Sequence, residues 1–240
     1  MSKEPFKFKQ FSIEQDRCAM KIGTDGVLLG AWTSLEHNPE SILDIGTGTG
    51  LIALMLAQRS EAFQIDAIEI EDNAYEQAVE NFENSDWGDR LFCYHAGFDE
   101  FVDEMQDEDK YDLLISNPPF YSEDYKSGNE HRDQARFADA LPLEELIEGA
   151  SLLLSENGHF DIIIPYSEEN KAVEIAQNHR LFPNRITRVR GTINSPLKRS
   201  LISFSFERKE PMIDELVLEI SRHEYTPEFR KLIKDFYLKL

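Results

Sequence analysis

Asn117-Pro118-Pro119-Phe120 holds residue types whose order points to a definite piece of chemistry. It follows Tyr111-Asp112-Leu113-Leu114-Ile115, an apolar run that reads as a buried parallel strand, so the tetrapeptide sits where that strand ends. Carboxyl ends of parallel strands are where open α/β sheets bind ligands. Two consecutive prolines fix φ at about −65° and supply no N–H, so they hold a rigid, extended turn that neither a sheet ladder nor a helix interior accepts. What such a turn presents is acceptors. The amide oxygen of Asn117 and the carbonyl of Pro118 can face one small volume, with the Phe120 ring laid flat beside it. That set suits a planar group bearing an NH2, with two acceptors for its hydrogens and an aromatic face for its ring. Drawing both hydrogens out of plane localises the nitrogen lone pair, leaving an amine able to attack an electrophile. Asn117, Pro118 and Phe120 are therefore candidate catalytic residues, and the neighbouring Pro119 and Tyr121 are candidate substrate contacts. A plain Pro-Pro loop with Phe120 in the core is the alternative.

Other strand ends supply a ligand site. Ser41-Ile42-Leu43-Asp44-Ile45 reads as a strand, and Gly46-Thr47-Gly48-Thr49-Gly50 as the loop into a helix from Leu51 to Arg59. Alternate glycines let the backbone turn tightly and approach a ligand closely. The spacing is G-x-G-x-G with Leu51 next, so the dinucleotide fingerprint G-x-G-x-x-G is not met, and no Lys-Ser/Thr follows to make a P-loop. Asp44 adds a carboxylate at the strand end, which suits a ligand with a cationic group better than a phosphate. The next strand, Ala62 to Ile70, carries Glu69 near its end, where an acidic side chain can accept from both hydroxyls of a ribose. A solvated surface carboxylate is the alternative for Glu69 alone, but Asp44, the three glycines and Glu69 together favour a site. Upstream, Lys21 to Trp32 reads as a Gly-rich turn opening an apolar helix with Thr24 or Asp25 as N-cap. Its N–H groups could meet a ligand carboxylate; a simple capped turn is the alternative. Phe98 follows a third strand, Leu91 to His95, where its ring could pack on an adenine or lie in the core.

The remaining chain gives Phe6 to Ile13 as one or two short strands and Glu71 to Asn84 as an amphipathic helix. Tyr121 to Leu141 is a long polar loop, the usual sign of a lid or substrate-binding segment. A helix from Pro142 to Leu154, a turn at Asn157-Gly158 and a strand from His159 to Ile164 follow. Glu168 to Asn178 is a helix, Arg185 to Gly191 and Leu201 to Arg208 are β segments joined by Asn194-Ser195-Pro196, and the chain ends in a helix after Thr226-Pro227.

The length of 240 residues suits one domain over 1–240, with 1–40 an N-terminal cap of short strands and a helix and 41–240 the catalytic core. No run of about 18 apolar residues and no apolar signal core occur, so a cytoplasmic protein without membrane contact is expected. Cys18 and Cys93 stand apart, which argues against disulfides and thiolate metal sites; no metal is expected. The net charge is −21, but it is regional: residues 1–170 carry 11 basic against 37 acidic side chains, and residues 171–240 carry 14 against 9. From Arg180 to Lys209 the tally is 8 basic against 1 acidic. Arg188, Arg190, Lys198 and Arg199 in that tract are candidate contacts to a polyanion, the alternative being that its arginines pair with surplus acids on neighbouring helices.

The order strand, Gly loop, helix, strand ending in acid, strand, then strand ending in Asn-Pro-Pro-Phe resembles the class I methyltransferases that use S-adenosylmethionine. Within them the chain is most similar to the bacterial tRNA1(Val) adenine-37 N6-methyltransferases, a resemblance that includes Phe8 to Ile13 and Gly23 to Trp32. It implies an α/β, Rossmann-like fold: a seven-stranded, mostly parallel sheet with helices on both faces and an antiparallel hairpin at one edge. It also implies S-adenosylmethionine as cofactor, held by Thr24, Asp25, Asp44, Gly46, Thr47, Gly48, Gly50, Glu69 and Phe98, and tRNA as partner, with the enzyme expected to be a monomer. Two other functions use the same features. A protein glutamine N5-methyltransferase presents the same turn to the same kind of NH2, yet such enzymes carry a helical N-terminal domain, whereas about forty partly strand-like residues precede the Gly loop here. A catalytically silent nucleoside- or RNA-binding module is the other, and the intact Asn117 and Phe120 argue against it.

Overall fold

The structure is a computed structural model and describes residues 4–119 and 141–239. Phe120, Tyr121 and all but the last residue of the expected 121–141 loop lie outside the described residues. In chain order come β1 (Phe6–Lys7), β2 (Ser12–Ile13), α1 (Thr24–Trp32), β3 (Ser41–Ile45), α2 (Leu51–Arg59), β4 (Gln64–Glu69), α3 (Asp72–Glu83), β5 (Leu91–His95), α4 (Phe98–Met105) and β6 (Tyr111–Ser116). The second half gives α5 (Leu143–Leu153), β7 (Leu154–Pro165), a short 3-10 turn, α6 (Glu169–Asn178), β8 (Phe182–Arg190), β9 (Leu197–Ser205), β10 (Met212–Val217), β11 (Glu219–Ser221), β12 (Glu224–Tyr225) and α7 (Pro227–Ile233).

One sheet runs in the order β10-β8-β9-β7-β6-β3-β4-β5. Only β9 opposes the others. The central strands are apolar on both faces because both faces are covered. Successive side chains alternate between two cores: Ile42, Leu113, Ile115 and Ile163 pack under α1, α2, α3 and α7. Leu43, Leu114, Ile162 and Ile164 pack under α4, α5 and α6. Phe8, Phe11 and Ile13, beside the β1–β2 hairpin, enter the first of these cores.

From β3 the chain proceeds outward to β4 and β5, then returns to place β6 on the other side of β3. This reversal leaves a crevice at the carboxyl tips of β3 and β6, the usual ligand position in such sheets. The Gly loop follows β3 and the Asn117 turn follows β6, so topology alone brings them together.

The expected class of fold is found, with differences in detail. Among the described residues the sheet has eight strands instead of seven, because Met212–Val217 pairs in parallel with β8 and covers the outer side of the antiparallel hairpin. The turn expected at Asn157-Gly158 is a bulge inside β7, where the register to β6 jumps between Tyr111 and Leu113. Strand β9 begins at Leu197, directly after Pro196, instead of at Leu201. The N-cap of α1 is Gly23, with no side-chain cap, and not Thr24 or Asp25. At the other end of α1, the Arg59 guanidinium donates to the carbonyls of Gly30 at 2.6 Å and Thr33 at 2.9 Å, satisfying groups the helix end leaves open.

Candidate functional site

The loop after β3 is shaped by three glycines at positive φ, +71° at Gly46, +59° at Gly48 and +79° at Gly50. At Gly50, which caps α2, a Cβ would also lie 2.5 Å from the Phe82 ring. At Gly46 and Gly48 an added Cβ would meet nothing among the described residues within 4 Å, so none of them covers the loop backbone there. Both Gly46 and Thr47 donate their N–H to the Ile68 carbonyl at 3.0 Å, which ties the loop to β4.

Two carboxylates brace this loop. Asp44 is fully buried; its Oδ2 accepts from the Thr47 hydroxyl at 2.6 Å and from the Ala53 N–H at 3.2 Å. Its Oδ1 is buried with no partner among the described residues. Burial pushes the Asp44 carboxyl up to about 7, against the pull of those two hydrogen bonds. Glu69, half-buried at the tip of β4, accepts from Gly48 N–H at 2.8 Å through Oε2, and from the N–H groups of Ile70 and Glu71 at 3.0 Å through Oε1. Of about four lone-pair sites on a carboxylate, the described residues use three and leave one for a hydroxyl.

Two residues that sequence reasoning missed hold the N-terminal segment over the loop. Asn81 is 2% exposed; its amide nitrogen donates to the carbonyls of Thr49 and Glu14, each at 2.9 Å, and its oxygen accepts from Glu14 N–H at 2.9 Å. Gln77, one turn earlier, accepts from Arg17 N–H at 2.9 Å. The signal was there: two amides four residues apart on the buried face of the amphipathic helix α3, where apolar residues would be usual.

At the tip of β6, the Ser116 hydroxyl donates to the Ile45 carbonyl at 2.9 Å and fastens the strand end to β3. Asn117 is half-buried and Pro118 buried. The Asn117 amide lies beside the first turn of α1, its Nδ2 3.8 Å from where a Cβ on Gly26 would be. Asp44, Glu69, the glycines and Asn117 are thus brought to neighbouring strand tips. Phe98 is not free to face a ligand in this way: it is 7% exposed and its ring lies against Gly149, where a Cβ would be 2.5 Å away, which is the core alternative.

The basic tract is distributed in pairs. Arg199 donates to Asp25 at 2.8 Å, so that Asp25, a candidate ligand contact, is engaged by a candidate polyanion contact. Arg188 holds the buried Glu169 through Nε at 3.1 Å and Nη2 at 2.7 Å, and Glu169 also accepts from the Ser200 hydroxyl at 2.5 Å. Arg190 pairs with Glu215 at 2.7 Å, and Arg185 lies over the Trp32 ring at 4.5 Å. Lys198 is exposed and its ammonium has no partner among the described residues. The described residues contain no group of three His, Cys, Asp or Glu placed to hold a metal ion, and no helix long and apolar enough to cross a membrane.

Residues 25–180 match the family model described as the methyltransferase small domain. The chain is 80% identical, over all 240 residues and the whole of the relative, to a tRNA1(Val) (adenine(37)-N6)-methyltransferase of Christiangramia forsetii. It is 45% identical, again over the full length of both, to one of Bacteroides fragilis. Among solved structures, an Agrobacterium tumefaciens protein described as a predicted O-methyltransferase superposes with a TM-score of 0.68, covering 88% of this chain and 96% of that one at 18% identity, which shows a shared fold. The chain belongs to the methyltransferase small domain family and, within it, to the tRNA1(Val) (adenine(37)-N6)-methyltransferases.

Proposed function

We propose that this chain transfers a methyl group from S-adenosylmethionine to the exocyclic N6 of adenine 37 in the anticodon loop of tRNA1(Val). The chemistry rests on one observation, the meeting of the Gly loop, Asp44 and Glu69 with the Asn117 turn at adjacent strand tips. The acceptor is inferred from relatives as similar as 80% over the full length.

The residues fit the cofactor. Open backbone at Gly46 and Gly48 allows close approach, the remaining lone-pair site of Glu69 suits a ribose hydroxyl, and the orphaned Asp44 Oδ1 suits a cationic amino group. S-adenosylmethionine, when bound, supplies a methyl group already activated by positive sulfur. Asn117 Oδ1 and the Pro118 carbonyl accept the two N6 hydrogens, which turns the nitrogen lone pair toward the crevice, and Phe120 supplies the ring on which the adenine stacks. Alignment carries most of the acceleration. The amine becomes acidic once methylated, so no strong base has to sit beside it. Unpaired loop bases can be splayed out and stacked in this way. The Arg180–Lys209 tract faces the RNA, with Lys198 free to meet a phosphate. The whole of 1–240 works as one unit, as a monomer in the cytoplasm.

Incubating the enzyme with methyl-labelled cofactor, total tRNA and total protein tests this. Label should enter tRNA1(Val) and vanish when adenine 37 is replaced by guanine. Label appearing instead in protein, on a glutamine amide, would establish the glutamine alternative.

A further inference from the structure

A second cavity opens at the same edge of the sheet. It measures about 250 Å³, and Thr24, Gly191, Glu219, Tyr225, Tyr237 and Lys239 are among the residues that line it. Gly191 follows β8, which runs in the same direction as β6 and β7, so the cavity lies at the carboxyl edge that also carries Asn117. Thr24 begins α1, the helix whose Gly26 borders the Asn117 amide. The cavity and the acceptor turn therefore share one helix start.

Strand order gives the cavity its direction. The Gly loop and Glu69 belong to β3 and β4, on one side of β6; the cavity lies just past the ends of β8 and β10, on the other, where Gly191 and Leu218 follow those strands. With the cofactor on the first side, whatever is attached to the acceptor base must run over the second. We infer that this cavity is a second base-binding site, holding an unpaired nucleobase that neighbours the target adenine in the same RNA loop. The inference rests on the proposed function.

The lining suits such an occupant. Tyr225 and Tyr237 are half-buried, and neither hydroxyl has a partner among the described residues. Tyr225 stands edge-on to Phe229 at 5.2 Å and 71°, which holds its ring in place before any ligand arrives. Base–aromatic stacking accepts any base, since each has a π-face. The Glu219 carboxylate can accept from an amino group on a base edge, and the exposed Lys239 offers a cation to the adjoining phosphate. The volume is below the roughly 300–1,000 Å³ of pockets for drug-sized molecules, so it admits one planar ring and little more.

The test places 2-aminopurine at each position flanking the target adenine of a tRNA1(Val) transcript and follows fluorescence on binding, alongside methyl-transfer kinetics. With the wild-type enzyme, the signal should change at one flanking position. Tyr225→Leu, which keeps an apolar side chain and removes the ring, should abolish that change and raise the KM for tRNA by about 5- to 150-fold, with cofactor affinity unaltered. Tyr225→Phe should behave like wild type. If the wild-type enzyme methylates the transcript while neither flanking position responds, or if Tyr225→Leu leaves KM unchanged, the cavity is not a base site and the proposed function stands. If the wild-type enzyme transfers no methyl to any tRNA, the proposed function falls, and the cavity inference with it. Should Tyr225→Leu fail to fold, the wild-type fluorescence decides alone.

Discussion

Lowering the pH from about 7 to about 6 should weaken S-adenosylmethionine binding about fivefold, because the Asp44 carboxyl, pushed up to about 7 by burial, then becomes mostly protonated. The ligand carries two positive centres, a sulfonium and an α-ammonium that titrates higher, at about 7.7–8.0, so it favours the ionised carboxylate. If only that form binds, the competent fraction falls from about 0.5 to about 0.09, which is ~1 kcal/mol of affinity. Calorimetry across this range should show that slope, and titrations in two buffers of different ionisation enthalpy should show about half a proton released per ligand at pH 7. Asp44→Asn should flatten both. For the free enzyme the sign reverses: the native state holds a proton that the unfolded chain, at the ordinary 3.8, does not. Stability without ligand should therefore fall as pH rises from about 4 to about 7; the Asn variant should show a shallower fall, since the buried Asp161, pushed up to about 6, acts with the same sign. A wild-type affinity that is flat in pH, or a slope that survives Asp44→Asn, would refute the reasoning.

Asn117→Ala should abolish turnover and leave cofactor affinity nearly intact, checked by single-turnover rates beside calorimetry. Glu69→Ala should weaken S-adenosylhomocysteine binding by about 1.5–3 kcal/mol, since it removes a charged acceptor and also frees Gly48. Arg188→Gln should cost about 3 kcal/mol in urea unfolding, because it strands Glu169, which is 4% exposed. Lys198→Gln should leave stability unchanged and flatten the slope of log tRNA affinity against log salt by about one unit. Gly50→Ala should cost at least ~2 kcal/mol, from the positive φ together with the clash on Phe82, and denaturant midpoints will read it.

What could be read from the sequence was set by short-range physics. The apolar runs of β3, β4 and β6, the Gly loop and the acid at Glu69 were legible because each announces itself within a few residues, and their meeting follows from strand order. Strand β10 was not, since Met212-Ile213-Asp214-Glu215 is largely exposed on an edge and its charges conceal any strand period. The bulge in β7 was hidden because Asn157-Gly158 carries the residues of a turn, and only pairing with β6 makes it continuous. Phe98 could be read either as core or as a ligand contact; the choice was made by Gly149, about fifty residues away. Asn81 and Gln77 depend on a segment more than 59 positions distant, a long-range relation that local periodicity does not carry.

The carboxylates that already hold Arg188, Arg190 and Arg199 have a meaning for partner choice. On the proposed RNA face, a phosphate can reach these guanidinium groups only by evicting a tethered anion, which acts as an internal competitor at a local concentration of roughly millimolar or more. The exchange returns only the difference between two similar ion pairs, so an arbitrary polyanion gains little from it. An anticodon loop that also stacks a base on the Asn117 turn gains where others do not. With the net charge of −21 repelling nucleic acid at a distance, retention on the proposed RNA face then depends on the fit of the loop more than on charge.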